Sequence, residues 1–167
     1  MIDYHKNKRT NKFSHLDDKG QPSMVDVTDK KASIRVAIAR TIMLLDSEIV
    51  NSLEANDFNS PKGAVFQTAI IAGTMAVKKT SDLIPLCHPL PITKINIDIA
   101  FDEEKKLIID CTVKLTGKTG VEMEALTGCS VAALTVYDMC KAFSHKIVIQ
   151  ETKLLKKSGG KSDYNAE

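Results

Sequence analysis

The sequence predicts an α+β fold, an antiparallel sheet in the order strand, helix, strand, strand, helix, strand, covered by helices on one face. Three observations carry this. Two adjacent runs alternate apolar and polar residues with period two across a charged link, Asp102 to Lys106. Two longer stretches, one before these runs and one after, have helical patterning instead. A further β-branched run stands at each end of the set, and 167 residues suit one domain with a core of its own.

Residues 1–23 are polar and basic (Lys6, Lys8, Arg9, Lys12) and end in the Gly20-Gln21-Pro22 break. They are expected to be a mostly flexible N-terminal arm, with Phe13 and His15 close enough to dock on the fold. Residues 24–160 are expected to form a single domain. Met24-Val25-Asp26-Val27 leads in, and Ile34 to Ile42 alternates as a strand. Asp46 or Ser47 can cap a short extra helix, Glu48 to about Glu54, before the loop from Asn56 to Pro61. The stretch 62–84 is predicted helical, because Val65, Phe66, Ala69, Ile70, Gly73, Ala76 and Val77 follow a three-four spacing. Gly73 costs about 1 kcal/mol of helix stability against Ala, which close packing would offset.

Three prolines then stiffen Pro85-Leu86-Cys87-His88-Pro89-Leu90-Pro91 and hold Cys87 and His88 in place. Two strands follow, with Ile95, Ile97, Ile99 and Phe101 alternating in the first and Leu107, Ile109, Cys111, Val113 and Leu115 in the second. A Gly-flanked turn, Gly117-Lys118-Thr119-Gly120, leads into a long helix that is apolar almost all round, from Ala125 to Val136. Ile147-Val148-Ile149 opens a last strand running towards Leu155, and 161–167 are expected as a flexible tail.

Composition narrows the function. With 23 basic and 21 acidic residues the net charge is +2, so nothing in the charge points to nucleic acid. Cys87, Cys111, Cys129 and Cys140 form no CxxC pair, which argues against zinc and for buried apolar thiols. No apolar run reaches the length of a membrane span and no secretory segment opens the chain, so a soluble, cytoplasmic protein is expected.

The ionisable groups of the long helix are the first candidates for chemistry. Gly117-Lys118-Thr119 is not a phosphate loop, since Thr112 stands where that motif needs glycine. Backbone amides beside Lys118 at a helix start still suit an anion, and a plain structural turn has the same pattern. Glu122 and Glu124 fit the positive end of the helix dipole. A lone His88 beside Cys87 is a poor metal site. Asp138 and Lys141, three apart, share a face, and their place late in an apolar helix predicts a partly buried acid–base pair. On a straight helix Glu124 and Asp138 stand roughly 21 Å apart. They cannot reach one small reacting centre within a chain, so either they do separate jobs or a neighbouring subunit brings its own copy across; the second is expected, with the site at a subunit interface.

The runs MVDV (24–27), KG-VF (62–66), DLIPLCHPL (82–90), LTGKTGVEMEALT (115–127), SVAALTVYDMCKA (130–142) and LLKKSGGKS (154–162) resemble the cyclic pyranopterin monophosphate synthase family, MoaC, of molybdenum cofactor biosynthesis. The likeness spans about Phe13 to Ser162. It implies a ferredoxin-like α+β fold and a homohexamer, a trimer of dimers, with active sites at subunit interfaces. It implies a lyase that converts 3′,8-cyclo-7,8-dihydroguanosine 5′-triphosphate, supplied by a radical-SAM GTP cyclase, to cyclic pyranopterin monophosphate and diphosphate. Carried onto this chain, the catalytic residues are Asp138, Lys141, Lys62, His88 and Glu122. The substrate-binding residues are Leu86, Cys87, His88, Met123, Glu124, Lys157, Lys118 and Arg35. Repeated proton transfers suit an Asp–Lys pair, and lysines around a triphosphate suit expulsion of diphosphate. Whether Mg²⁺ assists at the triphosphate stays open, and no cofactor is otherwise implied. An RNA-binding module is set aside, because the two clear strands carry only Phe101 as a stacking aromatic. A non-catalytic oligomeric module that senses a nucleotide is the alternative kept.

Overall fold

The computed structural model describes residues 19–166. The arm expected over 1–23, Phe13 and His15 included, falls largely outside the described residues. In chain order the elements are β1 (Ser33–Leu44), α1 (Ser47–Ala55), β2 (Asn59–Ser60), β3 (Gly63–Ala64), α2 (Val65–Lys78), α3 (Thr80–Leu83), β4 (Lys94–Phe101), β5 (Leu107–Gly117), α4 (Glu122–Cys140), β6 (Val148–Ser158) and β7 (Tyr164–Asn165). The main sheet is antiparallel with strand order β4-β5-β1-β6-β7. Without β7 this is the ferredoxin-like arrangement, with α1 as the extra helix of the first crossover.

Strand β1 lies at the centre. It pairs with β5 from Ser33↔Gly117 to Met43↔Leu107, and with β6 from Val36↔Ser158 to Leu44↔Val148. Period two puts Ala37, Ala39, Thr41 and Met43 on the helix side, fully buried with Leu107, Ile109, Cys111, Val113 and Leu115 of β5. On the open side Arg40 binds Asp110 across the strands through two bonds of 2.7 Å. Helices α2 and α4 cover the core side and cross at two glycines. A Cβ on Gly128 would stand 2.6 Å from Cys111 Sγ and Val77 Cγ2, and one on Gly73 would stand 2.7 Å from the Gly128 carbonyl oxygen. Close packing of this crossing is therefore what Gly73 provides.

Two local expectations are corrected. The helix expected from Lys62 begins only at Val65, because 59–64 form a tight hairpin: Lys62 N–H bonds to Ser60 Oγ at 3.1 Å, and Gly63 takes φ +109. The same helix stops at Lys78, and α3 continues separately to Leu83. At the other end, the segment expected to be loose carries β7, whose Lys156↔Asn165 and Lys157↔Tyr164 pairs extend the sheet. Gly159 at φ +84 makes that reversal, its N–H held by Asp163 Oδ1 at 3.0 Å.

Candidate active site

Helix α4 has an acidic start and a cation-ringed end, and the expected site residues divide between the two. At its C-terminus the carbonyl groups of the last turn lack intrahelical donors, and the dipole favours cations there. Lys62 meets both needs. Its Nζ donates to the Asp138 carbonyl oxygen and to Asp138 Oδ2, each at 2.8 Å, from the β2–β3 hairpin. Lys141 Nζ closes on Asp138 Oδ1 at 2.6 Å. These two ammonium groups hold the Asp138 carboxyl down at about 2, through hydrogen bonds from Lys141 and then Lys62, with their charges adding.

Asp138 was expected to be partly buried. Its side chain is instead 56% exposed in the single chain, because it points out from the face of α4 turned away from the sheet. The tuned carboxyl is at the other end of the helix. Glu124 is only 4% exposed, and burial pushes it up to about 7, opposed by a hydrogen bond from its own backbone N–H and aided by the charge of Glu122. A dipole-favouring glutamate and a buried one look alike in sequence, so this was missed.

Around Glu124 lies a cavity of about 390 Å³, lined by Leu86, Cys87 and His88 from the proline-rich loop and by Glu122 and Met123 from α4. The stiff loop and the helix start thus bring six of the expected residues to one place, Glu124 included. Burial and then the charge of Glu124 push the Cys87 thiol upward. Cys111, pushed up to about 12, and Cys140, to about 11, are buried and serve packing. A second, basic cavity of about 150 Å³ adjoins the first and shares Lys30, Thr119, Gly120 and Glu122 with it. It gathers Arg35, Lys118, Lys157 and Lys161. Lys157 lies 3.3 Å from Glu122, and Arg35 is engaged with the carbonyl oxygens of Gly117 at 3.3 Å and Lys118 at 3.4 Å. At the helix start between the cavities no side chain caps α4, which suits an anionic group.

The lead-in Met24-Val25-Asp26-Val27, to which the sequence assigns no site residue, also takes part in the site. Val25, Val27 and Lys30 form a wall of the first cavity. Alternation of Val25 and Val27 with Asp26 and Thr28 was the available signal. Among the described residues no group of three or more His, Cys, Asp or Glu is placed to hold a metal ion, and no helix is long and apolar enough to cross a membrane.

Within one chain the Asp138 cluster and the His88–Glu124 cavity occupy opposite ends of α4. Met123, Leu134 and Asp138 all lie exposed along it, and Ile71 and Met75 of α2 are exposed as well, at 62% and 52%. The two sets of chemical groups are joined by an apolar, uncovered helix face.

The sequence model described as the MoaC family matches residues 24–160. A protein of Xanthomonas axonopodis pv. citri named cyclic pyranopterin monophosphate synthase is 52% identical over 160 residues, covering 96% of this chain and 97% of its own. One of the same name from Bacillus thuringiensis subsp. konkukian is 50% identical, covering 91% of this chain and 96% of its own. A Synechocystis protein named molybdenum cofactor biosynthesis bifunctional protein is 52% identical over 92% of this chain, which matches 45% of that longer protein.

Proposed function

The chain belongs to the MoaC family, and from that premise we propose that it is a cyclic pyranopterin monophosphate synthase acting in the cytoplasm, with 24–160 as its single catalytic domain. In class it is a phosphorus–oxygen lyase. It takes 3′,8-cyclo-7,8-dihydroguanosine 5′-triphosphate from a radical-SAM GTP cyclase and yields cyclic pyranopterin monophosphate and diphosphate. The observation that carries this is the match, at about half identity over nearly the full length of both chains, to proteins bearing that name.

The geometry supports a division of labour. The 390 Å³ cavity suits the base-derived rings, with His88, Glu122 and Glu124 able to exchange protons with ring nitrogen and carbon. The basic cavity suits the triphosphate, where Lys157 stabilises charge as diphosphate leaves. Asp138, flanked by Lys62 and Lys141, moves protons at the other end of the helix. An isologous contact across the exposed face of α2 and α4 sets one protomer's Asp138 cluster over the partner's cavity, and three such dimers make the hexamer.

Incubation with the cyclised dihydro-GTP, following diphosphate and a fluorescent pterin derivative, tests the activity. Neither product forming from a folded protein rejects it, and a nucleotide sensor would bind without turnover. Subunit mixing tests the shared site. Lys62 and Asp138 stand in one protomer's cluster, so mixing Lys62→Ala with Asp138→Ala restores nothing. Mixing His88→Ala with Asp138→Ala leaves one intact site in each mixed dimer and restores about one quarter of full activity. No recovery, with exchange verified by mass spectrometry, rejects the shared site.

A further inference from the structure

Lys118 lies in the Gly-flanked turn at the rim of the basic cavity, where a phosphate ligand is expected, yet its ammonium is already engaged. Its Nζ donates to the carbonyl oxygen of Thr28 at 2.6 Å. Thr28 belongs to the Met24–Lys30 segment that supplies Val25, Val27 and Lys30 to the wall of the first cavity. That segment has no helix or strand of its own. It is shaped locally: Asp26 Oδ1 accepts from Thr28 N at 2.8 Å and Thr28 Oγ1 at 2.6 Å, and Lys30 N donates to Val27 O at 3.1 Å. The local bends fix its shape without fixing it to the body. Lys118 supplies such an attachment, and the turn that carries Lys118 is itself tied to β1, since Arg35 donates to the carbonyl oxygens of Gly117 and Lys118. The Asp26 carboxylate strengthens the seat, being held below its ordinary range chiefly by its bonds with Thr28 and in smaller part by the charge of Lys118 and then His88.

We infer that Lys118 is a positioning residue, a pin that fastens the Met24–Lys30 strap across the cavity holding Glu124 and His88, and not a ligand of the triphosphate. The chain Arg35, turn, Lys118, Thr28 sets where Val25 and Val27 stand, and so the width of the pocket that receives the base. A charged hydrogen bond to a strap that has no helix or strand of its own has a large leverage on strap position. The wall role deepens the proposed reaction and rests on it, whereas the pin itself rests on contacts within the free chain.

The experiment is made on the full-length protein with Lys118→Met, which keeps the stem and removes the donor, and with Lys118→Arg, which restores one. Amide hydrogen exchange across 24–30 is measured without ligand, and inorganic triphosphate binding is measured by calorimetry beside Lys157→Met. The Met variant is expected to speed exchange of the strap about tenfold, as loss of one charged hydrogen bond implies, with triphosphate affinity kept within about twofold. The Arg variant is expected to behave as the unaltered protein in both, and KM for the nucleotide rises in the Met variant while kcat holds. Strap exchange unchanged in Lys118→Met, or triphosphate affinity falling as far as in Lys157→Met, overturns the assignment. The exchange measurement uses no substrate, so its failure is distinct from a failure of the proposed reaction.

Discussion

Lys62 Nζ sits 2.8 Å from two oxygens of Asp138, one on its carboxylate and one on its backbone carbonyl. The lysine therefore both charges the catalytic candidate and closes the end of the helix that bears it. Replacing Asp138 with Asn is expected to lower kcat by about 10² to 10⁴, the range for loss of a positioned acid or base. The group is exposed, so the melting temperature stays close to that of the unaltered protein. Lys62→Ala is expected to lower kcat as well and to loosen the last turn of α4, read as faster amide exchange near Asp138 and Lys141. Full activity in Asp138→Asn rejects its role.

Glu124 makes stability fall with rising pH. Its carboxyl titrates at about 7 in the folded chain against an ordinary 4.5, so between those values the folded state binds more protons than the unfolded one. The stability contribution is complete below about pH 4.5 and is lost as pH rises through 7, a change of about 3 kcal/mol from a shift of this size. Glu124→Gln is expected to remove that slope. Thermal midpoints of the two proteins, measured from about pH 5 to pH 8, should converge at the acid end and separate at the alkaline end, with Gln the more stable.

At the α2–α4 crossing Gly128→Ala places a methyl 2.6 Å from Cys111 Sγ and Val77 Cγ2. All three positions are buried, so the helices must part or the side chains leave their rotamers. Urea unfolding should report a loss of about 1–3 kcal/mol, the usual cost of overpacking. A gain, as Ala for Gly gives on an open helix, would show that the crossing has slack.

Lys157 lies 3.3 Å from Glu122. A triphosphate competes for that ammonium more strongly than one half-exposed carboxylate does. Lys157→Ala is expected to weaken inorganic triphosphate about tenfold, and Glu122→Gln, which frees the lysine, to weaken it little or to strengthen it. Calorimetry at two salt concentrations separates the cases, since the lysine term shrinks with ionic strength.

Where one face of an element is buried and the other wet, the sequence could be read directly. Strands β4 and β5 are such elements, and so is α2 from Val65 to Val77. Lys62 was less legible, because the hairpin that carries it depends on a hydroxyl contact from Ser60 and on the positive φ of Gly63 rather than on periodicity. The cavity could be read only in part. His88 and Glu122 were found through their neighbours in sequence. The burial of Glu124 comes from packing around the start of α4, and its cavity is completed by Val25 and Val27 and by Cys87 and His88, brought from segments far apart in the chain. The exposure of Asp138 was misjudged because an apolar helix was taken as covered all round, whereas Leu134, at 57%, and Asp138 lie on an uncovered side.

Helix α4 acts as a gauge block. Because it carries Glu124 near one end and Asp138 near the other, any residue added between them advances Asp138 by about 1.5 Å and swings it about 100° around the axis. A chain lengthened by one residue after Ser130 would keep both carboxylates and lose their registry, whereas the same addition in the loop near Asp57 would leave that registry untouched.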